Sequence, residues 1–216
     1  MKRGRASVSL LCVFVVTLAV SAGANTITIF QENFSGATPG PNNSLAGTQF
    51  QVTSGAVDII GVLNGSFFVC VNNPTGNCLD MVGSPGNGAI ASVPTLNLIA
   101  GDSYTITFGY ILQGFATGNT PTSQFTVGLG TFSNVLTAIP AVQDASLSFM
   151  ASTNQTGVRL IFVTDTAPDS VHGAVLDHIM MTQTSGPTTV PEPGTLSFLA
   201  LGAGSIAMRY RHKFHD

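Results

Sequence analysis

The sequence predicts an all-β domain, a two-sheet jelly-roll sandwich, between residues 25 and 183. Three observations predict it. Short runs of alternating apolar and polar residues recur along the chain, no long window carries a helical period, and Gly, Pro and Asn punctuate the intervals between runs. In "SYTITFGYIL", Tyr104, Ile106, Phe108 and Tyr110 fall on one face, with Thr105, Thr107 and Gly109 on the other. In "GVRLIFV", Val158, Leu160 and Phe162 share a face. In "AVLDHIMMT", strict alternation puts Leu176, His178 and Met180 on one face and Val175, Asp177, Ile179 and Met181 on the other. Further strands are expected at 26–30, 48–53, 57–62, 66–71, 88–93, 124–129 and 146–150. Tyr104 and Tyr110 read as core residues.

The two ends read differently. Residues 1–24 combine Lys2, Arg3 and Arg5 with an apolar run from Val8 to Val20 and a closing Ala22-Gly23-Ala24. A charged start, an apolar stretch and small residues at a cleavage point make a secretory signal peptide, cut after Ala24. Residues 184–193 form a polar linker containing three prolines, Pro187, Pro191 and Pro193. Residues 194–208 carry no charge and are expected to form a single transmembrane helix, short for a bilayer core of about 30 Å. Residues 209–216 form a tail in which Arg209, Arg211 and Lys213 act as the basic stop on the cytoplasmic side.

Charge narrows the function classes. Between residues 25 and 190 there are eight acids, one base (Arg159) and no lysine, a net charge of −7. Nucleic acid is excluded as a partner, because nothing displaces its counterions. If the runs around 158–163 and 174–182 pair, Arg159 lies opposite Asp177, and the one base meets an acid. Of the three cysteines, Cys12 lies in the signal peptide, and Cys70 and Cys78 flank the turn-forming "VNNPTGN". Outside the cytoplasm these two are expected to form a disulfide.

Enzyme motifs are missing. There is no G-x-S-x-G elbow and no H-E-x-x-H, and "GSPGNG" lacks the Lys-Ser/Thr of a phosphate loop. No catalytic residue is assigned, and the chain is not expected to be an enzyme. A hydrolase with two convergent carboxylates is the outside reading. A sugar site would need aromatic platforms. The chain has no Trp, and Phe115 is the loop aromatic available. An ice-binding surface would call for a flat, regular Thr array, and the Thr residues show no repeat along the chain.

The run "VPEPGTLSFLALGAGSIAMRYRHKF" resembles the PEP-CTERM sorting signal, a motif also known as the C-terminal domain of ice-binding-type proteins. The resemblance rests on Val190-Pro191-Glu192-Pro193, the apolar run and the basic end. It implies a bacterial protein cut by exosortase, with Pro191, Glu192 and Pro193 as the sorting motif. The expected course is a membrane-anchored precursor, then the cell surface or the extracellular space. The resemblance also points to the exopolysaccharide and biofilm matrix.

The stretches "CLDMVGSPGNGAI", "LIAGDSYTITFGY" and "GAVLDHIMMT" resemble galactose-binding-like β-sandwiches. That resemblance implies a structural Ca²⁺ near the first segment and last strand, held by Glu32 and Asp177, with Asp58 or Asp80 as outside ligands. Carboxylates are suitable hard donors. The resulting expectation is a structural or adhesive surface protein with weak glycan contact. A lectin-like module with structural calcium is the alternative.

Overall fold

The computed structural model describes residues 23–41, 45–61, 70, 76–83, 86–112, 121–170 and 172–186. Residues Ala24–Gly186 form one compact unit. The signal peptide apart from its last two residues, the strand expected at 66–71 apart from Cys70, Phe115, and everything from Pro187 onward lie outside the described residues.

All the regular structure described is β. In chain order the strands are β1 (Thr26–Glu32), β2 (Gly40–Pro41), β3 (Phe50–Ser54), β4 (Asp58–Ile60), β5 (Cys78–Asp80), β6 (Val82–Gly83), β7 (Gly86–Asn87) and β8 (Ala89–Ser92). They continue with β9 (Leu96–Leu98), β10 (Ser103–Leu112), β11 (Ser123–Leu129), β12 (Phe132–Ala138), β13 (Gln143–Met150), β14 (Gln155–Val158), β15 (Leu160–Thr166) and β16 (Ala174–Thr184).

The long strands make two antiparallel sheets. The first has the order β13-β10-β16-β5-β4-β2, with β1 also paired to β16. The second has the order β12-β11-β15-β8-β3. Their inner faces share one core. Phe108 of the first sheet meets Phe162 of the second edge-on at 5.3 Å, and Phe162 in turn meets Phe50 at 5.9 Å. Tyr104, Ile106, Phe108 and Tyr110 are all buried, as their alternation requires. Tyr104 places its phenol oxygen where it accepts the N–H of Ile99 at 2.8 Å, so the buried hydroxyl is satisfied.

Two sequence expectations fail, each for a local reason. The runs at 158–163 and 174–182 do not pair, because β15 lies in the second sheet and β16 in the first. Arg159 sits at the break between β14 and β15. It donates from Nη1 to the carbonyl of Val93 at 2.8 Å and also to that of Ser92, and does not face Asp177. Alternation also breaks within β16. Thr107 opposes Met180 while Gly109 opposes Asp177, so β16 carries an extra residue there. His178 takes φ +50° to make this bulge. Leu176, Ile179 and Met181 therefore all reach the core, and His178 is exposed.

β16 also runs beyond the expected boundary at 183. Ser185 donates its N–H to the carbonyl of Asn25 at 3.0 Å. Asp102 accepts from Gln183 Nε2 at 2.6 Å and from the N–H of Gly186 at 3.1 Å. The first and last described segments thus leave the sandwich side by side.

Candidate functional site

The outer face of the first sheet is where the chain collects its chemistry. Residues pointing outward from β1, β16, β10 and β13 line up in register. One row is Thr26, Thr184, Ser103 and Met150. The next is Thr28, Thr182, Thr105 and Ser148, and the third is Gln31, Met180, Thr107 and Ser146. All are exposed or half-exposed. Thr26 and Thr184 share a hydroxyl hydrogen bond of 2.8 Å, as do Thr105 and Ser148. No repeat along the chain announces these rows; the strand register creates them.

Further along the same face the character changes. Asp177 lies opposite Gly109, and Asp144 lies on the other side of that glycine. The following row joins Asp58, Asp80, Val175 and Ile111. Val175 packs with Ile60, Cys70 and Cys78 in a small apolar cluster against Ile111. Cys70 and Cys78 are joined by a disulfide, with Cα atoms 5.5 Å apart, and both are buried.

Burial sets the electrostatics of this end. The Asp80 carboxyl is pushed up to about 7, first by burial and then by the charges of Asp58 and Asp169, against the lowering effect of the Val82 N–H it accepts at 2.9 Å. Asp177 is raised to about 6 by burial, opposed by His178. Its Oδ1 accepts the His178 N–H at 2.8 Å, and its Oδ2 is buried and takes no hydrogen bond among the described residues. Asp169 accepts from the His172 N–H at 2.8 Å and lies 2.7 Å from His172 Nδ1, an exposed local turn.

The two residues expected to hold calcium are engaged differently. Glu32 is the last residue of β1 and lies opposite Ile179. Its Oε1 accepts the N–H of Asn33 at 2.9 Å and of Phe34 at 2.6 Å, and its Oε2 accepts that of Gln49. It therefore caps a turn in which Phe34 is held at φ +56°. Glu32 shares the inward side of β1 with Phe30, whereas Asp177 shares the outward side of β16 with Val175. Among the described residues no group of three His, Cys, Asp or Glu side chains is placed to hold a metal ion. Sequence reasoning missed the turn-capping role of Glu32 and the closing role of Asp102, since each depends on at least one partner distant in the chain, Gln49 for Glu32 and Gln183 with Gly186 for Asp102.

Pro191, Glu192, Pro193, Arg209, Arg211 and Lys213 lie outside the described residues. Among the described residues no helix is long and apolar enough to cross a membrane.

The fold thus defines an all-β sandwich protein with a polar, solvent-facing patch on the outer face of its first sheet. Residues 189–212 match the PEP-CTERM protein-sorting motif, so this sandwich belongs to a chain carrying that signal. A signal of this kind implies an exported protein processed by exosortase to the cell surface. No curated protein matches the chain. Similar solved structures include the CBM22-1 xylan-binding domain of Xyn10C from Paenibacillus barcinonensis, 13% identical, with a TM-score of 0.41, over 76% of this chain and 99% of that one. The tandem CBM22-1-CBM22-2 domain of the same protein is 12% identical with a TM-score of 0.47, over 81% of this chain and 50% of that one. A family 35 carbohydrate binding module from Clostridium thermocellum is 16% identical with a TM-score of 0.34, over 67% and 98%. These likenesses are distant, and the ligands in those names belong to those modules.

Proposed function

We propose that this chain is an exported bacterial surface or extracellular-matrix protein, whose β-sandwich plays a structural or adhesive part with weak contact to glycans. The observation that carries the reading is the sorting motif at 189–212. The chain is inserted by its apolar run at 194–208 with the basic stop inside, and exosortase cuts near Pro191, Glu192 and Pro193. Two prolines keep that segment extended and short of N–H donors, which suits an enzyme cleft. The disulfide between Cys70 and Cys78 agrees with an oxidising destination. Signal-peptide cleavage after Ala24 completes the mature form.

The mass of the product released by the producing cells tests this reading. The expected product begins at Asn25 and lacks the residues beyond the sorting motif. A secreted product that retains Asp216 overturns it.

A further inference from the structure

We propose that the three hydroxyl rows on the outer face of the first sheet are a docking surface for an uncharged, hydroxyl-rich polysaccharide chain. The inference deepens the matrix reading above and rests on it. The rows bring nine Ser and Thr residues onto four adjacent strands. Neighbouring strands are about 4.8 Å apart and alternate residues about 6.7 Å apart, so the patch measures about 14 Å by about 13 Å.

Three observations choose the occupant. The first is charge. No charged side chain stands in these rows, while the domain around them carries −7. An acidic polymer is repelled by that field and finds no cation in the rows to offset the repulsion, whereas a neutral polymer meets no such penalty and is met by hydroxyls whose contacts do not depend on charge. The second is hydrogen-bonding capacity. Each hydroxyl offers one donor and two acceptor positions, so a cross-strand pair such as Thr105 and Ser148 spends part of its capacity internally and keeps the rest outward. The internal bond also fixes both rotamers, which lowers the ordering cost of binding. Met150, 66% exposed, and Met180 add adaptable apolar contacts at two places in the patch, suited to C–H faces of sugar rings.

The third is shape. Adjacent strands rotate by about 20–25° relative to one another, and both β1 and β16 carry register shifts. The rows therefore turn across the patch. A flexible chain can follow such a surface, whereas a rigid planar lattice such as ice meets it over one or two strands. The absence of aromatic side chains from the rows makes the contact weak and broad, as expected for a matrix component.

The test is affinity electrophoresis of the full-length chain in detergent, through gels containing hydroxyethylcellulose, dextran or galactomannan, with alginate as the acidic counterpart. Retardation is expected in at least one neutral gel and not in alginate. The double variant Thr105→Val, Thr182→Val removes two central hydroxyls with little change in shape or strand preference, and is expected to weaken retardation about tenfold at an unchanged melting temperature. Thr105→Lys, at the exposed centre of the patch, provides a second variant and is expected to abolish it. Retardation in no neutral gel overturns the proposal, as does retardation that both variants leave intact. Inhibition of ice recrystallisation without retardation overturns it in favour of crystalline water. The two readings fail separately: a chain that is trimmed at the sorting motif but binds no glycan sinks only the docking surface, and a chain that binds but keeps Asp216 sinks the processing.

Discussion

Asp58 and Asp80 stand directly opposite each other across the β4–β5 ladder, two carboxyl groups on the same face of one sheet. Opposed residues of an antiparallel pair lie close together, so like charges there repel. Asp80 is buried and its carboxyl titrates at about 7. From β4 it is faced by Asp58 and from the segment before β16 by Asp169, whose own partner is His172; Val175, opposite it on β16, is neutral. The residues between 25 and 186 that lie outside the described set contain no Asp, Glu, His, Lys, Arg or Tyr.

The sign of the pH dependence follows. A carboxyl whose folded pKa lies above its unfolded value of 3.8 binds more protons in the folded state. Its stabilising contribution is complete below pH 3.8 and is lost as pH rises through about 7. Asp177, raised to about 6, acts in the same direction. Between pH 4 and pH 7 Asp80 lowers stability by up to about 1.4 kcal/mol per pH unit, and Asp177 adds to the fall below about pH 6. Urea unfolding followed from pH 5 to pH 8 should show a falling midpoint. Asp80→Asn keeps an acceptor for the Val82 N–H and should flatten the curve and raise stability at pH 8. A midpoint that rises with pH in the wild-type chain would refute this account.

Glu32 is expected to matter as a cap. Glu32→Gln replaces one acceptor oxygen by an amide NH₂, which then faces a backbone donor. The three N–H groups of Asn33, Phe34 and Gln49 lose part of their partner, and Phe34 loses what holds it at positive φ. The expected cost is about 1–3 kcal/mol. Thermal unfolding in calcium and in chelator separates capping from metal binding: the cap predicts the same loss in both, and a loss confined to calcium buffer would assign Glu32 to a metal.

Cys70 and Cys78 close a loop with a sequence separation of 8 beside the buried row of Asp80 and Val175. Replacing both by Ser should cost about 2–3 kcal/mol on the chain-entropy account. Since both sulfurs are buried, mild reductant should act slowly on the folded chain and quickly in urea. Equal rates in the two conditions would contradict that burial.

The long strands were legible because their pattern is local. Ser103–Tyr110 alternates polar or glycine with apolar residues and lies in β10 as read. β5 and β9 are three residues each, too short to display a period, and β12 was missed because "FSNVLTA" is a largely exposed edge with little alternation. The phase of β16 failed at His178, whose positive φ leaves no mark in composition. The cysteine pair was readable from spacing and compartment. The hydroxyl rows and the Asp58–Asp80 pair were not, since both arise from register between strands far apart in the chain.

Arg159 offers the sharpest check on the revised register. As the sole base of the domain it was expected to meet an acid, yet its guanidinium donates to the carbonyls of Ser92 and Val93. Ser92 is pinned further, its hydroxyl accepting the Leu160 N–H at 3.1 Å and donating to the Pro94 carbonyl at 2.8 Å. Arg159 therefore ties the end of β8 to the start of β15. Arg159→Ala should cost about 1.5–3 kcal/mol, the range for hydrogen bonds from a charged donor, and Arg159→Lys should recover only part, because an ammonium lacks the planar fork. Salt distinguishes the two arrangements. At about 1 M NaCl the screening length falls to about 3 Å, which erodes an exposed ion pair. Bonds to neutral carbonyls are spared. The Arg159→Ala cost measured by urea unfolding should be the same at about 0.1 M and about 1 M salt, and a cost that disappears at the higher concentration would restore an acidic partner for Arg159.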